Sequence, residues 1–594
     1  MVNMVNNLFK TSRVMLFTAI MMLVLVGVAC GSAAKPDTAA PGTSASGSSG
    51  AVPTAVAQPA DSSESTGELT INPGRVTLMV GEFQSEHFDT NYGPTGKEIR
   101  KNFHGNLTSW DLVDGAMQIM PGIASKWELS DGGKTTTYTI MEGAKFHDGS
   151  EITAEDVLWT LQHGMLPGAK EYSKSSPGIN YATIMDSIEQ TGPNQVSVTT
   201  QVPSPELAVY ISENEGGATQ GQVMPARPKL HDVAAADEYE ANPIGAGPAK
   251  LIEHVQLESY LFERFDEFYY QPANGFPTDK RYQFTELKLE LVPEESTRAA
   301  ALQAKEADIG QISLAQKGQV EDAGGHVVFS GESVIIESHM WGCWKPDAAC
   351  SDQRVRQALN YAVDKEMVQT LVGGPDVLVI RGWWVVTPST IGYTPELDPW
   401  PFDPAKARQL MSEAGYKTPD NPAGKDYPKL VINTYPDGLI PTLIESAQLT
   451  ADIWRKELGL DVEVRVMDKV TFGQTRTLRF EDFDGTINMV AQNTRLDAAG
   501  ISRLYFLTRM KDGPSARVNA DPEIFTLLEE TLAKTGAPDA EEVFNSAFKR
   551  LRDESYQVNF GYINSPWGVG PRIQAWEPYL VCEYACALHT IVLN

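Results

Sequence analysis

The sequence has little positive charge and few of the residues that carry catalytic or metal chemistry. Lysine and arginine number 48 against 77 acidic residues, so the formal net charge is -29. Nucleic-acid binders neutralise phosphates with clustered basic side chains, and binding to anionic lipid through a basic patch needs the same charges, so both are disfavoured. The 9 histidines are scattered, and H-E-x-x-H, G-x-S-x-G and P-loop motifs are absent. We therefore expect no enzyme, no cofactor and no bound metal ion, with a secreted hydrolase as the disfavoured alternative.

Long apolar runs are confined to the N-terminus. Lys10 and Arg13 precede an apolar run from Val14 to Ala29, which is short of the roughly twenty residues that a membrane-spanning helix needs. This pattern is typical of a secretory signal peptide, and an uncleaved signal anchor is the alternative. The stretch "VGVAC" resembles the lipobox of bacterial lipoproteins, although Gly27 stands where that motif usually has leucine. The resemblance implies cleavage before Cys30 and lipidation of that cysteine.

The segment that follows the apolar run is poor in large side chains. Residues 31–67 are dominated by Ala, Ser, Gly, Thr and Pro, a composition that cannot bury a core and behaves as a flexible tether. A lipid-bearing cysteine followed by a tether suits a soluble domain held at a membrane surface. We therefore predict a signal peptide at 1–29, a lipid-anchored linker at 30–67 and an extracytoplasmic location.

Cysteine is scarce, and its count favours disulfide bonds. Apart from Cys30 there are four, Cys343, Cys350, Cys582 and Cys586, and an even number outside the cytoplasm favours pairing. The close spacings suggest 343–350 and 582–586, although a sequence does not fix connectivity. A zinc site is the weaker alternative, because no C-x-x-C pair exists and His589 is the only histidine nearby.

One short window, "KFHDGSEITAEDV" at 145–157, concentrates residues that could bind a metal or transfer protons. Asp148-Gly149 has turn chemistry, and Thr153 with Asp156 three residues later resembles a capping box at a helix start. His147 has no second histidine at ligand spacing. The window therefore predicts a turn and a helix rather than an active site.

The remaining elements alternate between strands and well-capped helices. The sequence predicts a buried strand at 76–83, a hairpin at 126–140 with Asp131-Gly132 at its turn, and a strand at 461–466. Helices are predicted from Ser351 as N-cap to Gly373, from Asp403 to Gly415, over 444–458, and from Asp521 to Gly536. Mixed elements with short connections indicate an α/β or α+β architecture.

Four blocks of the sequence resemble one known family in the order in which that family has them. They are "MPGIASKWELSDGGKTTTYTIMEGAKFHDGSEITAEDVLWTL", "NPIGAGPAKLIEHVQLESYLFERFDEFY", "SDQRVRQALNYAVDKEMV" and "FDPAKARQLMSEAGY". The family is that of the solute-binding proteins of bacterial ABC importers, family 5, the oligopeptide-, dipeptide- and nickel-binding type. The match runs from about Val76 to about Tyr416 and continues more faintly to the end.

The resemblance implies a two-lobed, periplasmic-binding-protein-like fold with an extra inserted subdomain and a hinge between the lobes. Domain I would be discontinuous, at 68–110, 243–337 and 557–594. Domain II, the inserted subdomain, would be 111–242, and domain III would be 338–556. The lobes would close around a ligand held at their interface.

The resemblance also implies which segments contact the ligand. In peptide-binding members these are the loop after the first strand, here 87–96 with Tyr92 and Gly93, and a strand and loop in domain III, here 483–500 with Val490. Oligopeptide binders place an aspartate in the second segment to pair with the free amine of the peptide. Asn493 stands there in this chain, with Asp497 as a possible substitute, and Arg495 could pair with a ligand carboxylate.

Tryptophans form a second set of candidates. Trp383 and Trp384 are adjacent, and Trp341 and Trp344 flank a cysteine; aromatic faces suit sugars, cations and peptide side chains. If Trp383 and Trp384 lie in a strand, they point to opposite faces, and at most one reaches the cleft. Packing in the core is the commoner role for any one of them.

The function that the resemblance implies is capture of a small solute and its delivery to a membrane permease. We expect an oligopeptide or peptide-like solute, with an oligosaccharide as the alternative, since Asn493 and the tryptophans suit sugars. The expected partners are an ABC permease with its ATPase and a membrane reached through the lipid anchor. We expect a monomer that binds no nucleic acid.

Overall fold

The computed structural model describes residues 69–594 except 84, 92–95, 167, 170–181, 183, 213–220, 341, 344, 346, 391, 476–484, 497–521, 535–539 and 583. The strands are β1 Arg75–Val80, β2 Gly105–Asn106, β3 Thr108–Val113, β4 Ala116–Pro121, β5 Ala124–Ser130, β6 Thr135–Ile140, β7 Met185–Gly192, β8 Gln195–Thr200, β9 Gln222–Val223, β10 Ala249–Val255, β11 Ser259–Arg264, β12 Glu286–Leu291, β13 Ile309–Gln311, β14 His326–His339, β15 Leu378–Val379, β16 Leu430–Thr434, β17 Val462–Val466, β18 Ile487–Asn493, β19 Gln557–Val569, β20 Ile573–Ala575 and β21 Val592–Leu593.

The α-helices of the described residues alternate with these strands. They are α1 Lys97–Asn102, α2 Ala154–Met165, α3 Leu207–Tyr210, α4 Val233–Ala241, α5 Glu295–Ala304, α6 Lys317–Asp322, α7 Gln353–Tyr361, α8 Lys365–Val372, α9 Pro404–Glu413, α10 Leu443–Leu458, α11 Lys469–Thr475, α12 Pro522–Ala533 and α13 Ala540–Glu554. None of the helices in this part of the chain has the length and hydropathy needed to cross a bilayer.

One 11-stranded sheet consists of two halves joined by two long strands. We call β10-β11-β12-β1-β13 the first half-sheet and β18-β16-β17 the second half-sheet. Between them lie β14 and β19, which pair antiparallel along most of their length, and the eleventh strand, β15, pairs with β19. A separate four-stranded antiparallel sheet, β5-β6-β8-β7, carries α2 on one face. The fold is therefore a mixed α/β architecture in which two strands cross from one half to the other.

Local sequence signals fix several of these elements. The strand predicted at 76–83 is confirmed as β1, although it ends at Val80, and the hairpin is confirmed as β5 and β6, with Asp131 and Gly132 both at positive φ in its turn. The capping box is also confirmed, because the Thr153 side chain accepts the Asp156 N–H while Asp156 accepts the Thr153 N–H. α9 begins after the cap Asp403 as predicted.

The single helix predicted between Ser351 and Gly373 is wrong. Two helices occupy this stretch, α7 and α8, and their caps are Asp352 and Asp364 rather than Ser351. The Asp364 carboxylate accepts the N–H groups of Glu366 and Met367, so a second helix start interrupts the apolar periodicity. Cys343 bonds to Cys350 and Cys582 to Cys586, the pairing that their spacing suggests.

Candidate functional site

Strand directions in the sheet bring two sets of carboxyl ends to one junction. β1 is parallel to β12 and β13, and β16 is parallel to β17 and β18. The pairing of β13 with β19 and of β18 with β14 directs both sets toward the point where the long strands cross between the half-sheets. Ligands of open α/β sheets bind in the crevice outside the carboxyl ends of strands. Two such crevices therefore meet between the half-sheets.

A cavity of about 280 Å³ lies at this junction. Residues 311–314, at and directly after the end of β13, and the first turn of α5 line one side, while residues 438–442, between β16 and α10, line the other. Val372 and Val377 with Ile563 and Pro566 of β19 complete the wall. Most of the lining is apolar, and a few polar groups project from it, which is the usual character of a small-molecule site.

The polar part of the lining is set by Glu295 and Arg298 of α5. Glu295 accepts hydrogen bonds of 2.7 Å from both the N–H and the hydroxyl of Ser313. The Arg298 guanidinium donates to the carbonyl oxygens of Gln311, Val292 and Pro293 at 2.5 to 2.9 Å. Arg298 is buried and has no ion pair with a described residue. It therefore places a positive charge at the cavity wall while bracing the end of β13 and the loop after β12.

An ion pair spans the two half-sheets beside the cavity. Lys469, at the start of α11, lies 3.2 Å from Glu82, which follows β1. Asp437 interacts with both of these charges. Burial raises the pKa of its carboxyl group, the positive charge of Lys469 lowers that pKa, and the negative charge of Glu82 raises it further. A Cβ on Gly438 would lie 2.8 Å from the Glu82 carboxyl carbon, so the two segments approach closely.

Several predicted site residues lie outside the described residues. These are Tyr92, Gly93 and Asp497 of the expected ligand segments, Trp341 and Trp344, and the predicted lipidation site Cys30. Their assignment stays a prediction.

The described candidates from domain III lie on or just after β18. Val490 is fully buried and pairs with Glu337 of β14, whereas Asn493 is half-buried beside Val334. The Arg495 N–H donates to the carbonyl of Val385 at 3.1 Å. None of these described residues lines the 280 Å³ cavity.

Trp383 and Trp384 do not lie in a strand, contrary to the expectation of alternating faces. They form a tight turn in which Trp383 and Val386 exchange both backbone hydrogen bonds, and Trp384 has φ +56°. Only 3% of Trp383 and 2% of Trp384 is exposed, and the Trp384 N–H donates to Asn559 of β19. Both rings therefore belong to the core of the second half.

The window at 145–157 has a structural role. His147 is buried, and its Nε2 lies 3.0 Å from the Gly247 carbonyl. Burial lowers its pKa to about 4, with the Gly247 contact opposing, so the ring is neutral at pH 7. Among the described residues, no group of three or more His, Cys, Asp or Glu side chains is arranged to hold a metal ion.

Sequence reasoning missed the residues that line the cavity. Glu295, Arg298 and the loop 438–442 belong to no sequence motif that indicates a ligand site. What they share is their position between a strand and a helix. Glu295 and Arg298 begin α5 after the strand "ELKLEL", and the loop 438–442 lies between the strand "LVINT" and α10. The parallel pairing that brings these strand ends together is a long-range property of the fold.

The fold and the cavity define a class of protein: a two-lobed binding protein with a cavity between its two half-sheets. Solved structures of this class share the fold. DppA from Helicobacter pylori, in complex with peptide STSA, superposes with a TM-score of 0.69 at 17% identity over 88% of this chain and 98% of that one.

The family "Bacterial extracellular solute-binding proteins, family 5 Middle" matches residues 118–510, and the chain belongs to this family. Among its relatives, heme-binding protein A of Haemophilus influenzae is 24% identical over 340 residues, 52% of this chain and 55% of that protein. The dipeptide-binding protein of Escherichia coli K12 is 24% identical over 327 residues, 51% of this chain and 56% of that protein. The chain thus spans about half the length of the curated relatives it matches.

Proposed function

We propose that this chain is the extracytoplasmic solute-binding component of an ABC import system. It captures a small solute between its lobes and delivers it to a permease with its ATPase, without chemical conversion. The observation that carries the proposal is the 280 Å³ cavity at the convergent carboxyl ends of two parallel strand sets. Differential affinity for the open and closed forms suffices for this function.

The solute that the site favours is a peptide or peptide-like molecule. The apolar lining suits side chains, and the guanidinium of Arg298 supplies a positive charge to a carboxylate. The names of the E. coli relative and of the H. pylori complex, a dipeptide-binding protein and a protein holding peptide STSA, point the same way. Tyr92, Gly93, Val490, Asn493, Arg495 and Asp497 are proposed as further ligand contacts.

The oligosaccharide alternative loses part of its support in the structure. Trp383 and Trp384, the aromatic candidates for stacking on sugar rings, are buried in the core. The neutral amide of Asn493 is the remaining feature that favours a sugar over a free peptide amine.

The domain boundaries and the membrane anchor belong to the same proposal. Domain I comprises 68–110, 243–337 and 557–594, domain II 111–242 and domain III 338–556, and the lobes move about β14 and β19. Residues 1–29 form the signal peptide, and Cys30 carries the lipid that holds a monomeric receptor at the membrane through the linker 30–67.

Solute identity is tested by thermal shift followed by titration calorimetry. The probes are the dipeptide Met-Leu, the tetrapeptide Ser-Thr-Ser-Ala and maltotriose. A solute at one hundred times its Kd stabilises the native state by about 2.7 kcal/mol and raises the melting midpoint. We expect a peptide to produce this shift and to be recovered uncleaved by mass spectrometry. A shift with maltotriose alone would favour the oligosaccharide receptor, and cleavage of the peptide would indicate an enzyme.

The position of the site is tested by filling the cavity. Leu314→Trp places an indole in the cavity from a partly buried position, so we expect peptide binding to fall at least about tenfold while the melting midpoint changes little. The matched control is Ile252→Trp, at an exposed position on β10. Equal affinity of both variants and the native protein would place the solute elsewhere.

A further inference from the structure

The pairing of the two strands that cross between the half-sheets shifts register twice, between Ser330 and Val334 and between Ile336 and Glu337, and the first shift is the larger. In the pairing of β14 with β19, Ser330 lies opposite Ser565 and Val334 opposite Ile563. Residues 331–333 therefore stand opposite the single residue Asn564. Before this bulge β14 pairs with β19 alone, and after it β14 also pairs with β18. The bulge thus separates the part of β14 beside the first half-sheet from the part that belongs to the second.

Glu332 occupies the centre of the bulge in an unusual conformation. Its φ is +38°, a region that residues other than glycine rarely adopt and that surrounding structure must hold in place. Only 8% of the residue is exposed. Its neighbour Gly331 lies against Leu580, whose carbonyl oxygen would be 2.5 Å from an added Cβ, so a larger residue does not fit there without a shift of the backbone.

Hydrogen bonds of Glu332 join three separate segments. Its N–H donates to Oδ1 of Asn564 on β19 at 3.1 Å, and its carbonyl oxygen accepts from the Thr494 hydroxyl just after β18. The carboxylate oxygens accept from the N–H and the hydroxyl of Ser389, each at 3.1 Å. A bulge side chain thus fixes a turn that lies 57 residues farther along the chain.

The turn that contains Ser389 is hydrogen-bonded to residues 494–495, which belong to the segment that we propose contacts the solute. The Thr390 hydroxyl donates to the Arg495 carbonyl, and the Arg495 N–H donates to the Val385 carbonyl at 3.1 Å. Residues 385–390 and 494–495 therefore form one bonded unit, and Glu332 connects that unit to the crossing strands.

We infer that Glu332 is a hinge-positioning residue whose carboxylate couples the 385–390 turn and the 494–495 segment to the angle between the lobes. The inference rests on the proposed function, since it assumes that the lobes open and close around a solute. When the lobes rotate about β14 and β19, the bulge changes its dihedral angles, and the Ser389 hydrogen bonds bias which angle is populated.

The test measures the interlobe distance without adding any solute. Dyes are attached through unnatural amino acids at the exposed positions Glu253 on β10 and Lys456 on α10, one on each half, so the disulfide bonds stay intact. Single-molecule energy transfer then gives the distribution of open and closed forms. We expect Glu332→Ala to change the ratio of the two forms at least about fivefold, because it removes two charge-assisted hydrogen bonds.

Three companion variants separate a hinge role from a general loss of stability. Glu332→Gln keeps one acceptor oxygen and should shift the ratio less than Glu332→Ala. Ser389→Ala removes only the hydroxyl donor, and it tests the inference if Glu332→Ala fails to fold. Glu189→Gln, at an exposed position on β7, should leave the distribution unchanged.

The outcomes distinguish this inference from the proposed function. Superimposable distributions for the native protein, Glu332→Ala and Ser389→Ala would overturn the hinge role, even if peptides bind. The hinge role would be established if the ratio of open to closed forms departs most from that of the native protein in Glu332→Ala and less in Glu332→Gln. These measurements are made at temperatures well below every melting midpoint. If none of the solute probes binds but the variants still shift the ratio of open to closed forms, the proposed solutes are refuted and the hinge role stands.

Discussion

Lys365 shows how burial can make one residue sensitive to pH. Its ammonium group donates to the carbonyl oxygens of Asn360 at 3.1 Å and Val363 at 3.4 Å, at the end of α7, and only 4% of the residue is exposed. Burial lowers the pKa of Lys365 to about 7, with the nearby charge of Asp364 opposing. In an unfolded chain the pKa of lysine is about 10.4.

The lowered pKa predicts a rise in stability with pH. Between about pH 7 and pH 10 the unfolded chain binds a proton at this position more tightly than the native chain, so the free energy of unfolding increases as pH rises. We expect a gain on the order of 2 kcal/mol between pH 7 and 9 for this group. Urea denaturation of the native protein and of Lys365→Met at both pH values measures it, since the variant lacks the gain.

Lys229→Met, at a lysine whose side chain is 77% exposed, is the control for the lost charge. Its stability relative to the native protein should not change with pH over this range. A constant difference between native protein and Lys365→Met would contradict the prediction.

At the scale of the element, the start of α2 depends on one carboxylate with several partners. One oxygen of Asp156 accepts the N–H and the hydroxyl of Thr153, and the other accepts the N–H of Ala226 at 2.8 Å. Thr153→Ala removes the hydroxyl that accepts the Asp156 N–H and donates to the Asp156 carboxylate, and it should cost about 1 kcal/mol. Asp156→Ala also releases the 226 segment, so we expect a cost of about 2 to 3 kcal/mol, measured by urea denaturation.

Glu155→Ala is the matched control in the same helical turn, because Glu155 is exposed. Its effect should stay within about 0.5 kcal/mol, as for most surface substitutions. Equal costs for Thr153→Ala and Asp156→Ala would show that the contact with Ala226 contributes nothing.

Elements with strong local signals were predictable, and elements defined by competing signals were not. Asp403 followed by Pro404 starts α9, and Gly459 at φ +73° ends α10, as the sequence indicates. The stretch after Ser351 contains two aspartates that each cap a helix, and the apolar periodicity across them conceals the break at 362–364. The cavity was not predictable for another reason: its walls at 311–314 and 438–442 meet only through parallel pairing in two distant half-sheets.

At the scale of the whole molecule, the two half-sheets are connected by two strands and by contacts beside the cavity, which include the Glu82–Lys469 ion pair. Leu496, after β18, packs with Trp110, Val209 and Val581 in one apolar cluster, so a residue of the second half also contacts side chains outside that half. Dissolved salt screens the attraction between Glu82 and Lys469. The apolar contacts of the cluster and the backbone pairing of the crossing strands do not rely on charged side chains. The effect of salt on the proposed closure of the lobes therefore depends on how much free energy this ion pair contributes.

The Glu82–Lys469 pair should make only a small contribution to closure. Its side chains are 32% and 52% exposed, and exposed ion pairs contribute about 0 to 1 kcal/mol. A double-mutant cycle with Glu82→Gln and Lys469→Met, read as the ratio of closed to open forms by energy transfer, measures the coupling. We expect less than about 1 kcal/mol at low salt and no coupling at about 1 M salt, where the screening length is roughly 3 Å. The pair Lys417–Asp426, which lies within the second half, is the control and should leave the ratio unchanged. A coupling that survives high salt would instead mean that closure shields the pair from solvent, so that Glu82 and Lys469 act as a latch on the closed form.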